Sequence, residues 1–312
     1  MIKKFALWVD VWGSHISCWL VDVWSRKMIE ETRSRHTVHS SWCSEQILTS
    51  WTECVQSSLR HVQEDELLGV GIAVPWPFDY IHGVSQIKGV NKLWMLYGMN
   101  IKDKLRKCIH LDQNIPIRFI NDACAFGIGE YSSLYRQREA KTISITLGTW
   151  FGSAFIKSGI PVLEGEYMPS WGCLWHIPYQ SSIANDFFST HWFQKEWKSI
   201  SWENISDVQS LSMKCHSDAR AQQLFKTFGH NLAHFLLPWI KTFQPDKVIL
   251  WGGISKCFEL WARSFDDTFH RGHPTVDLCI SQSSEQSTIT WASHIIVPEF
   301  WKKLSPLLSK MK

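Results

Sequence analysis

Glycine is scarce in this chain. Its 312 residues hold 17 glycines against 19 tryptophans, although glycine ordinarily makes up ~7% of a protein and tryptophan is among its rarest residues. Long apolar runs are missing too: none approaches the ~20 residues a membrane span needs. The opening Met1-Ile2-Lys3-Lys4-Phe5 leads directly into strand-like sequence without a cleavage site, so neither export nor a membrane is expected. Charge of one sign is lacking, the formal net charge being +3, which gives a nucleic-acid or membrane-surface partner no electrostatic support. The nine cysteines (Cys18, Cys43, Cys54, Cys108, Cys124, Cys173, Cys215, Cys257, Cys279) are scattered and odd in number, with no CxxC pair among them. That pattern implies a reducing, cytoplasmic setting without disulfides or a zinc knuckle.

What is present suffices for a folded protein. Hydrophobic residues make up 45% and charged ones 20%, enough apolar area to offset ordering entropy. The length exceeds the ~100–150 residues of an ordinary domain, so two domains are expected.

The order of elements repeats. Phe5 to Val11, Ile16 to Val23 and Lys27 to Val38 read as a strand meander. Ser44 to Val62 has a helical apolar face, with Ser44 as N-cap. Leu67 to Val74 is a continuous apolar strand ending at Pro75-Trp76-Pro77, which fits neither a helix nor a central strand. Ile117 to Ile120 is a further strand, and Asn121-Asp122 opens a helix of small residues. A second meander follows over Thr142–Leu147, Gly152–Ile156 and Ile160–Leu163. Helices are expected at Ala184–Trp197 and Ala219–Phe243, a strand at Lys247–Leu250, a helix at Ile254–Phe269, a strand at Thr275–Ile280 and mostly helix over Thr288–Lys310. This duplication implies two related α/β halves facing each other across a cleft.

Four segments could carry chemistry, and each has a plainer reading. Asp10-Val11-Trp12-Gly13-Ser14 places an acid at a strand end before a tight turn, which is also an ordinary hairpin. Thr146-Leu147-Gly148-Thr149-Trp150-Phe151-Gly152-Ser153 is a second turn of that kind, and small-residue turns let successive N–H groups converge on a phosphate. Asn121-Asp122 follows a strand and starts a helix, where an Asn is commonly just a cap. Trp251-Gly252-Gly253-Ile254-Ser255 joins a strand to a helix whose N-terminus can receive a ligand.

Taken together, these segments resemble the ROK (repressor, open reading frame, kinase) family of sugar kinases in the actin-like ATPase superfamily. Leu7-Trp8-Val9-Asp10-Val11-Trp12-Gly13-Ser14 resembles the first phosphate loop, LGIDIGGT. Ile72-Ala73-Val74-Pro75-Trp76-Pro77 with Gly83-Val84 is similar to the PGP…GV segment, and Asn121-Asp122-Ala123-Cys124-Ala125 to NDANA, the most specific of the set. Leu147-Gly148-Thr149-Trp150-Phe151-Gly152 resembles the second phosphate loop, LGTGIG. Gly172-Cys173-Leu174-Trp175-His176 stands where GEIGH is expected, and Leu250-Trp251-Gly252-Gly253-Ile254-Ser255 resembles the adenosine-side GGGxS.

The resemblance implies an α/β fold of two duplicated actin-like ATPase (ribonuclease H-like) domains with a cleft between them. Residues 1–120 with 290–312 would form one domain and 121–289 the other. It implies ATP-dependent, glucokinase-like phosphorylation of a hexose hydroxyl with Asp122 as general base. Asn121, His176, Pro75 and Gly83 would hold the sugar. Asp10, Gly13, Ser14, Gly148, Thr149, Gly152, Gly252 and Gly253 would bind ATP, with Asp10 also positioning Mg²⁺. Positioning and charge stabilisation then carry the rate, and domain closure excludes water. A homodimer is implied as well. No helix-turn-helix pattern precedes the first strand, which implies the kinase branch rather than the repressor branch.

The departures from the family pattern share a direction. Trp8, Trp12, Trp19, Trp76, Trp150, Trp175, Trp251 and Trp291 all stand where that pattern has glycine, needed for positive φ or for backbone close to a phosphate. One reading unites them with the odd composition: the host reads UGA as glycine, and a translation by another code has written tryptophan. Under that reading Trp51, Trp192 and Trp239, on apolar helical faces, are true tryptophans. The alternative is a catalytically inactive sugar-binding homologue with blocked phosphate loops. Cys173 replaces a sugar-binding Glu, Asn185 stands at a second Glu position, and the family's CxCGxxGC zinc loop is absent after His176, so no zinc site is expected. Cys173 and His176 alone make a poor metal pair.

Overall fold

The computed structural model describes residues 4–39, 41–88, 93–135, 138–272, 276–282 and 293–311. The chain divides into two compact units, Met1–Leu134 with Ser283–Lys312, and Tyr135–Gln282. The first division thus falls near residue 134 rather than at 120, keeping the helix that Asp122 begins with the strand before it.

The first unit is built on β1 (Phe5–Val11), β2 (His15–Asp22), β3 (Lys27–Thr37), β4 (Leu67–Val74) and β7 (Ile117–Asn121). Between β4 and β7 lies a short hairpin, β5 (Phe78–Asp79) and β6 (Val84–Ser85). Helices α1 (Ser44–Leu59), α2 (Ile101–Cys108) and α3 (Asp122–Tyr135) complete the order. The five long strands pair in the order β3-β2-β1-β4-β7. The β1–β2 and β2–β3 pairings are antiparallel; β1–β4 and β4–β7 are parallel. Residues 6–9 of β1 are all buried, as expected of a central strand covered on both faces.

The second unit repeats the plan. Its sheet runs β10 (Ile160–Pro161), β9 (Phe151–Lys157), β8 (Lys141–Leu147), β13 (Lys247–Trp251) and β14 (Asp277–Ile280). The meander is again antiparallel and the later strands parallel. A small ribbon, β11 (Pro178–Tyr179) and β12 (Ser182–Ile183), precedes α4 (Ala184–Phe187), α5 (Thr190–Ser201), α6 (Val208–Lys214) and α7 (Ala219–Phe243); α8 (Phe258–Gly272) follows β13. Aromatic rings fill this core: Phe188 lies 5.0 Å from Phe235, Phe193 5.0 Å from Phe228, and Phe228 5.4 Å from Trp261. No helix among the described residues is long and apolar enough to cross a membrane.

Several boundaries differ from the expectations. The N-cap of α1 is Cys43, not Ser44, and its N–H donates to Gln46 Oε1 at 3.0 Å, half of a capping box. The stretch 184–197 is two helices rather than one, broken at Phe188-Ser189, where fully buried Phe188 continues the apolar spacing across the break. Helix α8 starts four residues after Ile254, following a 3₁₀ turn. Thr275 and residues 288–292 lie outside the described residues; the C-terminal helix, α9, runs over Pro298–Leu308.

A short 3₁₀ turn, Ser293–Ile296, brings the chain back to the first unit, where the Arg118 guanidinium donates to the carbonyls of Ile295 (2.6 Å) and Ile296 (2.9 Å). Beside them, burial first and then the positive charge of Arg26 hold the His294 imidazole down to about 4. An unfolded histidine titrates near ~6.5, so between these values the unfolded chain takes a proton that the folded chain refuses. The stability due to neutral His294 is complete above ~6.5 and is lost as pH falls through about 4. Thermal unfolding from pH 7 to 4 should show Tm falling less steeply in His294→Phe than in the parent. Identical slopes would contradict this role.

Candidate functional site

Parallel strands end together. In the first sheet β1, β4 and β7 share one carboxyl edge, with Asp10 opposite Ala73 and Val74 opposite Asn121. Open α/β sheets bind ligands at such edges. Beyond it lie the Gly13-Ser14 turn, Pro75-Trp76-Pro77 and Asp122. Sequence positions 10, 75, 121 and 122 are thus gathered by register alone.

Asn121 is buried and uses both ends of its amide. Its Oδ1 accepts from the Cys124 N–H (3.1 Å), capping α3, while its Nδ2 donates to Asp122 Oδ1 (2.9 Å) and to the Tyr80 hydroxyl (3.3 Å). The Ala123 N–H also donates to Asp122 Oδ1 at 2.9 Å. The Asp122 Oδ1 is therefore held at the helix N-terminus by two donors. The plainer reading, a cap, is correct for Asn121; it does not account for Asp122.

At the first turn the Trp12 N–H donates to the His15 carbonyl (2.8 Å), closing a hairpin over Gly13-Ser14. The Trp12 indole N–H donates to Asp10 Oδ2 at 2.9 Å, and its ring stacks 5.8 Å from that of His15. Gly83 turns the β5–β6 hairpin, with φ of 77° and its N–H bonded to Asp79 O (2.8 Å). That same hairpin carries Tyr80, whose hydroxyl donates to Val74 O at 3.4 Å. Sequence reasoning missed Tyr80. The aromatic tail of Pro75-Trp76-Pro77-Phe78-Asp79-Tyr80 gives no spacing that ties it to a residue 41 positions away.

The second sheet has an equivalent edge, with Thr146 of β8 opposite Trp251 of β13. Gly148-Thr149-Trp150 turns from β8 to β9, and Gly252-Gly253 leaves β13. A Cβ on Gly252 (φ 114°) would lie 2.3 Å from Leu147 O, so only glycine lets the two strand ends approach this closely. The Ile254 N–H then donates to Leu147 O at 3.1 Å. At Gly148 and Gly253 an added Cβ would meet nothing within 4 Å, so both backbones border open space. Gly152 pairs with Thr146 inside β9 and is a strand residue rather than part of the turn. Asn185 is buried, and its Oδ1 accepts from the Phe151 N–H at 3.1 Å. At this Glu position the side chain serves the base of the turn.

His176 lies between two indoles, its ring 4.7 Å from Trp171 and 5.3 Å from Trp175. Burial pushes its pKa down. Cys173 Sγ is 3.8 Å from His176 Nδ1, and burial pushes that thiol up to about 12. The pair is a neutral thiol beside a neutral imidazole, a poor donor set for a cation.

The second edge fits a nucleotide: glycine backbones face open space beside a strand-to-helix junction. At the first edge, Mg²⁺ ordinarily takes one or two carboxylates together with substrate phosphates. No group of three or more His, Cys, Asp or Glu side chains suited to a metal occurs among the described residues. Asp10 offers one carboxylate at this edge, and its Oδ2 already accepts from the Trp12 indole.

Positive φ does not explain the tryptophans at glycine positions. None of Trp8, Trp12, Trp19, Trp76, Trp150, Trp175 and Trp251 is left-handed; Trp291 lies outside the described residues. Trp8 and Trp19 are direct cross-strand partners and fully buried. At these two strand positions neither a turn nor an open backbone asks for glycine.

Asn121→Ala should cost ~1–2 kcal/mol through loss of the α3 cap, read as a lowered urea midpoint. An unchanged midpoint would contradict the cap.

The ROK family model matches residues 7–288. Solved structures of similar shape include the ROK hexokinase from Thermus thermophilus, at 17% identity and TM-score 0.73, covering 96% of this chain and 99% of that one. A ROK family glucokinase from Streptomyces griseus, in complex with glucose and AMPPNP, is 19% identical with TM-score 0.71 and coverages of 93% and 98%. A ROK family transcriptional regulator, a homologue of the E. coli MLC protein, is 13% identical with TM-score 0.72, covering 99% of this chain and 80% of that one. No curated protein matches the chain. With a family match from β1 to beyond β14 and two sheets of one repeated strand order, the chain belongs to the ROK family and has its two-domain, actin-like ATPase fold.

Proposed function

We propose that this protein transfers the γ-phosphoryl group of ATP to a hexose hydroxyl, with Asp122 as general base. The observation that carries this reading is the double hold on Asp122 Oδ1, from Asn121 Nδ2 and the Ala123 N–H, at the carboxyl edge where Asp10 also ends. A carboxylate fixed in this way is oriented in advance to take the proton of an attacking hydroxyl. ATP with Mg²⁺ supplies the phosphoryl group and neutralises its charge. Asn121, Pro75, Gly83 and His176 are the proposed sugar-side residues. Gly13, Ser14, Gly148, Thr149, Gly152, Gly252 and Gly253 are the proposed nucleotide-side residues, and Asp10 binds the nucleotide's Mg²⁺. The domain division at 120 and 290 is superseded in this proposal by the one near 134 and 283. Two of the relatives named above are a hexokinase and a glucokinase in complex with glucose and AMPPNP, which supports a hexose and ATP, while the third is a transcriptional regulator. A cytoplasmic kinase acting as a homodimer is the setting we propose.

A second reading, a sugar-binding homologue without activity, is favoured by one contact. As written, the Trp12 indole occupies an oxygen of Asp10 at 2.9 Å. The comparison that separates the readings is hexose-dependent phosphorylation by the written chain and by one with glycine at positions 8, 12, 19, 76, 150, 175, 251 and 291. We expect activity in the glycine chain alone. Activity in neither favours the inactive homologue, and activity in the written chain contradicts the argument from Trp12. Within an active chain, Asp122→Asn should lower kcat by ~10²–10⁴ with KM little changed. An unaltered kcat would remove Asp122 from the role.

A further inference from the structure

Two tryptophans outside the family-motif positions stand in backbone conformations suited to glycine. Trp171 has φ 60° and ψ 13°, and Trp202 has φ 65° and ψ 6°. In this left-handed region Cβ crowds the following carbonyl, at a cost of ~1–2 kcal/mol for an L-residue. Asn, Asp and His are the side chains that best tolerate it. Arg26, Leu93, His110, Ser158, Gln180 and Gln244 also take positive φ here, so at Trp171 and Trp202 the angle counts together with what surrounds each.

At Trp202 the conformation has a specific role. Helix α5 ends there, and the Trp202 N–H donates to Lys198 O at 3.0 Å, closing the last turn in the manner of a glycine C-cap. The side chain gains nothing in return from burial: Trp202 is 89% exposed.

At Trp171 the local geometry is that of a tight turn. Trp171 (φ 60°) and Gly172 (φ 61°) are successive left-handed residues, and the Cys173 N–H reaches back to Ser170 O at 3.5 Å. Positive φ at both central residues of a four-residue turn is the type I′ pattern, which selects Asn-Gly, Asp-Gly or Gly-Gly. The second position is fixed as glycine, since a Cβ on Gly172 would lie 2.4 Å from Val162 O. The first is filled by an indole.

We infer that the native protein carries glycine at positions 171 and 202, both written as tryptophan by a translation that misreads its UGA codons. This inference rests on backbone dihedrals and not on the kinase reading, so either can fail without the other. It extends the reassignment to sites that motif comparison does not reach. It also bears on His176. Trp171 and Trp175 are the two rings beside that imidazole, and glycine at both would uncover it for a ligand.

The test is peptide sequencing by tandem mass spectrometry of the protein purified from its own host. Trypsin releases Ser199–Lys214 with position 202 and Ser158–Lys195 with position 171. Glycine at both positions is the expected result; tryptophan at either overturns the inference, as does a UGG codon at either. A stability measurement on the recombinant written chain gives a second criterion. Trp202→Gly should raise Tm by about 2–4 °C through relief of the left-handed strain. A Tm that is unchanged or lower would show that the fold accommodates the indole there, and would count against the inference.

Discussion

The parallel register of β1, β4 and β7 is the constraint on which the candidate site depends. Because these strands run in one direction, their ends deliver Asp10, Pro75 and Asn121-Asp122 to a single edge. A register slip would turn every side chain on the slipped strand to its other face. The site is thus a consequence of sheet pairing first and of side-chain chemistry second. The hydrogen bonds of Asn121 add the fine adjustment, tying the start of α3 to Asp122 and to the Tyr80 hydroxyl. The second unit applies the same logic with backbone rather than carboxylates, as Gly148 and Gly252-Gly253 end parallel strands held together through Leu147 O.

Much of this was legible in the sequence for physical reasons. Continuous burial of residues 6–9 in β1 follows from an unbroken apolar run, and such a run is what a central strand needs. The second meander repeats the first in order and spacing, and the sheets duly repeat their strand order. Asn121-Asp122 could be placed between a strand and a helix because small residues follow it and an apolar run precedes it.

Other features left no trace at the level of residue patterns. Helix α2 begins at an Asn100 cap and is mostly charged, so its short apolar face, Ile101 and Leu105, is too sparse to mark it. The break between α4 and α5 is hidden because Phe188 keeps the apolar period going while the backbone leaves the helix. Tyr80 joins the site through a tertiary contact across 41 positions, which no local pattern encodes. The tryptophans divide in the same way. Motif spacing identifies Trp12 and Trp150, whereas only dihedral angles identify Trp171 and Trp202. Those angles are a property of the folded backbone and cannot be read from composition.

The central claim is that a carboxylate on the α3 N-terminus draws a proton from a sugar hydroxyl during phosphoryl transfer. The most direct measurement is ADP release by protein purified from its own host, with ATP and Mg²⁺ present, across a panel of hexoses and amino sugars. The account predicts release that depends on one or more of these sugars and saturates with it. Sugar binding detected by calorimetry, with ADP release no faster than in its absence, would contradict the account.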